Sequence, residues 1–253
     1  MEITFLGTGT SQGVPVIACK CAVCTSGEFQ NKRLRSSVMI EIEGKVIVID
    51  SGPDFRMQML REEVHQLDAL LFTHEHKDHV AGLDDVRAFN FKHDREIDVY
   101  AEERVQKALR NEFSYIFSGI SYPGLPRVVL HDIENKEMLI QGVKVLPIRV
   151  LHYKLPVYGF RIGDFTYITD AKTISEEEKV KIKGSKIVVL NALRKEQHLS
   201  HFTLSEAIAL AKELGAEQTY FTHISHQLGL HDEVEAELPK GINLAYDGLR
   251  IVC

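Results

Sequence analysis

Ligand-type side chains are concentrated in the segment THEHKDHVAGL, which holds His74, His76, Asp78 and His79. The segment follows DALLFT, a short apolar run typical of a buried strand. Alternate residues of an extended chain point the same way, so His74 and His76 can reach one metal ion together. Asp78 and His79 are adjacent at the turn into a helix, face differently and can serve a second ion. Because imidazole and carboxylate suit zinc, manganese or iron, this spacing predicts a paired-metal site for hydrolysis.

A second cluster, ACKCAVC, places Cys19, Cys21 and Cys24 close together in a chain whose other cysteine is Cys253. The N-terminal MEITFLGTGT lacks the basic start, apolar run and cleavage site of a signal peptide, so we expect a cytoplasmic protein with reduced thiols. Under those conditions a tight cluster favours a metal over disulfides. A closed tetrahedral zinc site needs four ligands, and the cluster leaves the fourth open. Three buried thiols without a metal are the alternative.

Composition is that of an ordinary globular protein. The chain has 253 residues, 44% hydrophobic and 26% charged, with no Pro/Gly/Ser-rich linker or fixed repeat, which predicts one domain over residues 1–253. A formal net charge of -6 without a basic run argues against extended contact with a nucleic-acid backbone, although a small anion could bind a local cationic pocket. No apolar run approaches roughly 20 residues, so no membrane contact is expected.

Strand and helix patterns predict an α/β (α+β) protein whose sheets position these ligands. Alternating or apolar runs predict strands in EITFLG, SVMIEIEG, KVIVID, DALLFT, VKVLPIRVL, VYGFRIG, FTYITD, KIVVLN and TYFTH. Periodic runs predict helices in DHVAGLDDVRAF, EERVQKALRNEF, SEEEKVKI and TLSEAIALAKELG, the last bounded by a Ser or Thr cap and by Gly215. Two sets of strands with helices between and after them predict two sheets packed face to face, with helices outside.

The HxHxDH spacing of residues 74–79 resembles the motif of the metallo-β-lactamase superfamily, and the resemblance extends over essentially the whole chain. Members fold as a four-layer αβ/βα sandwich of two packed mixed sheets, with a two-metal site at one edge. The downstream positions that match further ligands each follow a predicted strand: His152, Asp170 and His223. The resemblance implies one ion on His74, His76 and His152, a second on Asp78, His79 and His223, and Asp170 with a water between them.

A narrower resemblance is to the PhnP-like branch, cyclic phosphodiesterases associated with phosphonate breakdown. Its members carry a CxCxxC loop after the first strand and a late THISH segment, and this chain has both, with His223 and His226 in the latter. In that branch the first late histidine serves the active site and the second completes a Cys3His site. The resemblance therefore implies that His226 is the fourth ligand of a structural zinc. His231 and Cys253 are the rival candidates.

The resemblance implies a metal-dependent phosphodiesterase with two manganese or zinc ions. Such ions lower the pKa of a bridging water, and the hydroxide would attack a small cyclic ribose or nucleotide phosphate. His201 precedes a predicted helix, where related members direct a histidine at the phosphate, and would stabilise developing charge or protonate the leaving oxygen. His198 is its alternative. Asp78 could also accept a proton, and Asp50, after VIVI, could orient the ligands or cap a turn.

Two other functions remain open from the sequence. The PqqB-like proteins combine this fold with a CxCxxC loop and are candidates for binding or carrier roles, whereas the tRNA 3′-processing branch shares HxHxDH. This chain has no long basic or Gly/Pro-rich insertion to hold RNA. The presence of His79, His152, Asp170 and His223, a ligand set from which the PqqB-like proteins depart, favours catalysis over a binding role. A homodimer is compatible with the sequence, which does not determine the oligomeric state.

Overall fold

The structure, a computed structural model, describes residues 1–119 and 122–253. The first strands are β1 (Glu2–Gly7), β2 (Ser37–Ile42), β3 (Lys45–Ile49), β4 (Ala69–Leu71), β5 (Ile97–Ala101), β6 (Val128–Asp132) and β7 (Met138–Ile140). The later strands are β8 (Val143–His152), β9 (Leu155–Ile162), β10 (Phe165–Tyr167), β11 (Thr173–Ile174), β12 (Ile187–Asn191), β13 (Gln218–Thr222), β14 (Ile242–Leu244) and β15 (Arg250–Val252). The helices are α1 (Ala22–Thr25), α2 (Phe55–Arg61), α3 (Lys77–Val80), α4 (Arg87–His93), α5 (Glu103–Glu112), α6 (Glu176–Ile182), α7 (Leu204–Leu214) and α8 (His231–Glu237). Across the described residues, no helix combines the length and the apolar character that crossing a bilayer requires.

The strands form two mixed sheets. The first has the order β15–β1–β2–β3–β4–β5–β6, and the second has the order β11–β8–β9–β10–β12–β13–β14 with β7 paired to β8. Antiparallel hairpins such as β2–β3 and β8–β9 lead into parallel pairs, β3 to β6 in the first sheet and β10, β12, β13 and β14 in the second. Parallel strands end on the same edge of a sheet, so residues that follow them are brought together.

Apolar cores lie between the sheets and on their outer faces. Between the sheets, Phe5 and Ile47 of the first meet Phe160 and Tyr167 of the second. Helices α2, α4 and α5 cover the outer face of the first sheet, and α6, α7 and α8 cover that of the second. Burial of these apolar faces drives the layers together. The resulting αβ/βα order of four layers confirms the predicted fold class.

Some of the predicted elements are wrong in detail. The run DHVAGLDDVRAF forms α3, a 3₁₀ segment (Leu83–Val86) and α4 instead of one helix. Gly82 packs so closely on the carbonyl oxygen of Gly52 that a Cβ would clash there, and the helix is interrupted at this contact. The sequence patterns also miss β5 and β6, because these strands are stabilised by parallel pairing with strands remote in the chain and not by a local hairpin.

Candidate metal centre

The predicted ligands meet at the edge where strands of both sheets end. From the first sheet, His74 follows β4 and His79 lies in α3. From the second sheet, His152 is the last residue of β8, Asp170 comes after β10, and His223 follows β13. Residues far apart in the chain therefore reach one rim because the two sheets are packed face to face.

Three residues that follow strands at this rim, after β3, β10 and β13, have a left-handed backbone. Asp50, Asp170 and His223 have φ angles of 65°, 54° and 55°. Few non-glycine residues adopt this conformation, and Asp and His do so more readily than most. Conformations of this kind concentrate at functional sites, where the surrounding structure holds them in place.

His79 lies in contact with three carboxylates. Its Nδ1 is 2.7 Å from Oδ2 of Asp50, and since a carboxylate accepts, Nδ1 carries the proton. Its Nε2 is 3.2 Å from Oδ2 of Asp78 and 3.2 Å from Oδ2 of Asp170. Asp50 also accepts hydrogen bonds from the backbone N–H and the hydroxyl of Thr73, at 2.9 and 2.8 Å. Asp50 therefore fixes the orientation of the His79 ring and leaves Nε2 facing the rim.

Three further imidazoles line the same rim. Nε2 of His74 is 3.0 Å from Nδ1 of His76, and the ring centroids of His76 and His152 are 5.3 Å apart. Nδ1 of His152 donates to the carbonyl oxygen of Ser200 at 2.9 Å, which leaves its Nε2 free for a ligand. The predicted ligands of one ion, His74, His76 and His152, thus lie side by side.

Asp170 and His79 link the ligand groups of this rim. Among the described residues, ligand atoms lie within 4.8 Å of one another in three groups here: His74, His79 and Asp170; Asp78, His79 and His223; and His152, Asp170 and His201. Asp170 joins the group that contains His74 to the group that contains His152. A carboxylate that bridges two ions would need this central position, and bridging by Asp170 stays a prediction.

Unpartnered buried nitrogens indicate that these residues fit a metal. Nε2 of His79, Nδ1 of His201 and both ring nitrogens of His223 are buried without a hydrogen-bond partner among the described residues. Nε2 of His223 does approach Oδ1 of Asp170, at 3.2 Å, but without hydrogen-bond geometry. Buried polar atoms are normally paired, so lone pairs and carboxylates converging in this way match a divalent cation.

The charges at the rim also suit a cation. Burial alone would raise the pKa of Asp170, but His223 and His79 hold it well below its usual range. Burial likewise opposes protonation of His79, yet Asp78, Asp170 and Asp50 raise the pKa of its imidazole well above the ordinary value. A site that draws a proton onto a fully buried imidazole has an excess of negative charge, which a metal ion would also neutralise.

His201 lies next to the ligands, whereas His198 lies farther out. His201 is 8% exposed, its Nδ1 is 3.8 Å from Oδ1 of Asp170, and its ring centroid is 4.8 Å from that of His223. Burial, followed by the neighbouring His223, lowers the pKa of His201 to about 2, which keeps the imidazole neutral. The His198 ring is 5.0 Å from that of His201, and its Nδ1 is 3.3 Å from the backbone nitrogen of Ser200.

The cysteine cluster forms a second candidate metal site. Sγ of Cys19 and Sγ of Cys21 each lie 3.3 Å from Nδ1 of His226, and the ligand atoms of these residues and Cys24 lie within 4.8 Å of one another. The backbone N–H of Cys24, and then His226, lower the pKa of the Cys21 thiol to about 6, whereas burial raises that of Cys24 to about 11. Three sulfurs and one imidazole match the closed shell of structural zinc.

The rival fourth ligands lie elsewhere. Nδ1 of His231 is 3.0 Å from Nη2 of the buried Arg33, and its backbone N–H donates to Asn31. Cys253 follows β15, and its backbone N–H donates to the carbonyl oxygen of Met1. Both residues are therefore engaged away from the cysteine cluster.

Several residues that support the rim have no motif of their own in the sequence. Thr73 precedes the ligand motif and contacts Asp50, and Gly52 packs so closely on the carbonyl oxygen of Asp78 that a Cβ would clash. Tyr153 and Lys154 follow His152 and line the cavity beside it. Adjacency to predicted ligands is the one sequence signal that these residues carry.

Comparisons with known proteins place the chain among hydrolases of this fold. A family model described as a beta-lactamase superfamily domain matches residues 45–224. A curated relative, the octanoyltransferase of Porphyromonas gingivalis, is 39% identical over 255 residues, a match that covers 100% of this chain and 51% of the relative. The chain thus spans about half the length of this curated relative.

Two solved structures resemble the whole chain. One, described as a new diphosphatase from the PhnP family, has a TM-score of 0.93 and 40% identity and is matched over 100% of this chain and 97% of its own. The other, zinc-bound PqqB from Methylobacterium extorquens, has a TM-score of 0.79 and 18% identity over 100% of both chains, a likeness of fold alone. The matched family model and the extent of the first likeness establish that the chain belongs to the metallo-β-lactamase superfamily of hydrolases, in its PhnP-like branch.

Proposed function

We propose that the protein is a metal-dependent phosphodiesterase that hydrolyses a small, cyclic ribose or nucleotide phosphate to the monoester. The observation that carries the proposal is the convergence of unpartnered buried nitrogens of His79 and His223 with the carboxylates of Asp78 and Asp170. Family membership independently makes hydrolysis with divalent metal the expected chemistry.

The rim residues would hold two divalent ions of manganese or zinc. His74, His76 and His152 would hold one ion, Asp78, His79 and His223 would hold the other, and Asp170 would serve both. When bound, such ions supply Lewis-acid stabilisation of phosphate oxygens and an acidified water. Asp50, Thr73 and the Ser200 carbonyl keep the imidazoles oriented through their Nδ1 atoms.

His201 and Asp78 would act on the substrate itself. The imidazole of His201 would donate an N–H hydrogen bond to a phosphate oxygen, where negative charge grows as the new bond forms. Because burial keeps this imidazole neutral, it suits that role better than the role of a general acid. His201 also lies two residues before Thr203, the N-cap of α7, and the N-terminus of this helix favours an anion nearby. A carboxylate oxygen of Asp78 accepts the proton of the attacking water.

The experiment is hydrolysis after metal removal and reloading. Protein stripped with a chelator and then loaded with manganese or zinc is assayed against bis(p-nitrophenyl) phosphate, nucleoside 2′,3′-cyclic phosphates and a tRNA precursor. Metal-dependent turnover of the small esters supports the proposal. Faster cleavage of the tRNA precursor would favour an RNA-processing nuclease, and absent turnover with a small molecule retained on purification would favour a binding protein.

Octanoyl transfer is the second candidate, because a 39% identical relative carries that name. The match leaves about half of that relative uncovered, and the ligand groups of the rim hold imidazoles and carboxylates but no thiol, within the described part of the chain. Transfer of an octanoyl group from a carrier thioester to an acceptor lysine is measured in the same preparation. Metal-independent transfer there would overturn the phosphodiesterase assignment.

A further inference from the structure

We propose that Tyr153 and Lys154, at the tip of the β8–β9 hairpin, form a subsite for the nucleoside portion of the substrate. The base would stack on the Tyr153 ring, and the Lys154 ammonium would attract the phosphate of the same nucleotide from the side of the metal centre. This inference deepens the proposed function and rests on it, since it assigns a nucleotide to the same centre.

A cavity opens directly from the metal centre towards this hairpin. It has a volume of about 530 Å³, with His76 and His152 on the side of the centre and Tyr153, Lys154 and Leu199 beyond them. Ligand clefts commonly measure roughly 300–1,000 Å³. A phosphate held at the rim would therefore extend its remaining group into this cavity.

A two-residue loop at the hairpin tip places Tyr153 beside the cavity. Residues 153–154 form a two-residue loop in which Tyr153 has a φ of 58°. The next hairpin of the same sheet, β9–β10, also has a two-residue loop, and its first residue is Gly163 at a φ of 55°. The same conformation occurs at the first residue of two other two-residue loops, Glu43 with a φ of 51° and Gln141 with a φ of 53°, so this position accepts side chains. The place of the Tyr153 ring beside the cavity, and not its backbone, therefore points to a ligand.

The side chains at the tip match the two parts of a nucleotide, its base and its phosphate. Tyr153 is 47% exposed and Leu199 is 67% exposed, so flat apolar surface lies open at the cavity. Nζ of Lys154 is 5.3 Å from the centroid of the Tyr153 ring. Aromatic rings bind nucleobases by stacking, and a lysine binds phosphate as a point charge.

The charge of Lys154 is available to a ligand. Other cations around the rim are paired: Lys172 with Glu206, and Arg104 with Glu75. Within residues 1–119 and 122–253, no carboxylate lies at ion-pair distance from Lys154. An exposed ammonium beside an aromatic ring favours an anionic aromatic ligand over an alkyl chain, which would gain nothing from the charge.

The test measures binding by calorimetry to the metal-loaded protein, with adenosine monophosphate, ribose 5-phosphate and octyl phosphate as probes. Tyr153→Gly removes the ring and relieves the backbone, Tyr153→Phe keeps the ring, and Glu43→Gly is the matched backbone control. Glu43 has a φ of 51° in the β2–β3 hairpin, on the first sheet.

We expect Tyr153→Gly to weaken adenosine monophosphate binding about tenfold relative to ribose 5-phosphate, as loss of one base stack does. Tyr153→Phe should bind adenosine monophosphate within about twofold of the wild-type affinity. Glu43→Gly should not change the ratio of the affinities for adenosine monophosphate and ribose 5-phosphate. The melting temperature of Tyr153→Gly should equal or exceed that of the wild type. Lys154→Gln should weaken both phosphates together.

Two results would overturn the subsite. One is equal weakening of adenosine monophosphate and ribose 5-phosphate by Tyr153→Gly, and the other is a loss of octyl phosphate binding as large as that of the nucleotide. Hydrolysis is scored separately. If no phosphodiester is turned over while nucleotide binding depends on Tyr153, the proposed function fails and the subsite stands. If phosphodiesters are hydrolysed while nucleotide affinity does not depend on Tyr153, the proposed function stands and the subsite fails.

Discussion

At the scale of single residues, a hydrogen-bonded chain orients two of the imidazoles. Nδ1 of His74 lies 2.9 Å from the hydroxyl of Thr73, which donates to Asp50, and Asp50 in turn accepts from Nδ1 of His79. Protonation of both Nδ1 atoms directs the Nε2 lone pairs to the rim. Partners of this kind set the tautomer and the ring orientation of metal-binding histidines.

Asp50→Asn tests this orienting role. The NH2 group of an amide cannot accept, so either the backbone N–H of Thr73 or the pair formed by the Thr73 hydroxyl and His79 Nδ1 loses its acceptor. The amide also carries no charge to support His79. We expect metal affinity at the rim to fall about 10- to 100-fold, with a smaller loss of the turnover number at saturating metal. The matched control is Asp98→Asn, since Asp98 accepts from Nε2 of His131 at 2.6 Å away from the rim. Equal metal affinity in wild type and Asp50→Asn would contradict the role.

His201→Ala tests the contact with phosphate. Loss of one hydrogen-bond donor to the charge that develops on the reacting group typically lowers the turnover number about 10²- to 10³-fold. We expect that loss with unchanged metal content, measured by atomic absorption on the same samples. His198→Ala is the control and should keep the turnover number within about threefold. A similar loss in both variants would mean that the two histidines act as one unit.

At the scale of elements, α7 positions His201. Thr203 caps this helix: its hydroxyl accepts from the backbone N–H of Glu206 at 3.2 Å, and Glu206 accepts in return from the N–H of Thr203 at 2.8 Å. Thr203 is buried and lies two residues after His201, and Gly215 ends the helix at a φ of 69°. Both ends agree with the start and stop signals in the sequence.

Thr203→Ala should therefore affect both stability and turnover. Loss of the cap costs about 1 kcal/mol, which lowers the melting temperature by roughly 2–4 °C in a chain of this size. We expect the turnover number to fall as well, because the loop before the helix loses its anchor. Ser175→Ala is the matched control, since Ser175 caps α6 through the N–H of Glu178, away from the rim. It should lower the melting temperature without changing turnover. An equal effect of both variants on turnover would argue against positioning through α7.

At the scale of the whole molecule, the cysteine cluster joins the two ends of the chain. The loop that carries Cys19 and Cys21 meets His226 across a separation of 207 and 205 residues. His226 comes soon after the rim residue His223, so a metal here would brace the loop after β13. Structural zinc contributes directly to the free energy of folding because the unfolded chain lacks the assembled site.

His226→Ala should release this metal. We expect zinc content to fall by one equivalent per chain and the melting temperature to drop, while manganese-supported turnover survives at low temperature. Cys253→Ala is the control and should retain every equivalent, because Cys253 lies apart from the cluster. Zinc content that is unchanged in His226→Ala would show that another residue completes the shell.

A buried carboxyl joins the same two ends. Asp247 accepts from the N–H and hydroxyl of Thr8 at 2.9 and 2.8 Å and from the N–H of Leu34 at 2.7 Å. Burial raises its pKa from 3.8 to about 6 despite these bonds. The folded protein therefore binds this proton more tightly than the unfolded chain. The stabilisation is fully present below about pH 4 and is lost as the pH rises through about 6.

The free energy of unfolding should report this loss. Two pKa units correspond to about 3 kcal/mol, so wild type should lose up to that amount between about pH 3 and 7 relative to Asp247→Asn. The difference between the two denaturation curves isolates this carboxyl from the histidines of the metal sites. Parallel pH profiles of wild type and variant would contradict the assignment.

Local chemistry was readable from the sequence because it depends on neighbours in the chain. The HxHxDH spacing, the CxCxxC loop and the caps of α7 each involve residues a few positions apart, so side-chain type and backbone period determine them. Strand ends mark where ligands such as His152 and His223 emerge. The two-sheet architecture also followed, because alternating runs must bury one face against another layer.

The tertiary structure alone decided which of several similar residues reach each site. His201 and His198, or His226 and His231, have equivalent side chains, and only the packing of the sheets sets their distances from Asp170 and from the cysteines. The break at Gly82, the parallel strands β5 and β6, and the exposed Tyr153 beside the metal centre also depend on contacts between remote segments. Side-chain type determines what chemistry a residue can perform, and distances across the fold determine whether it has partners with which to perform it.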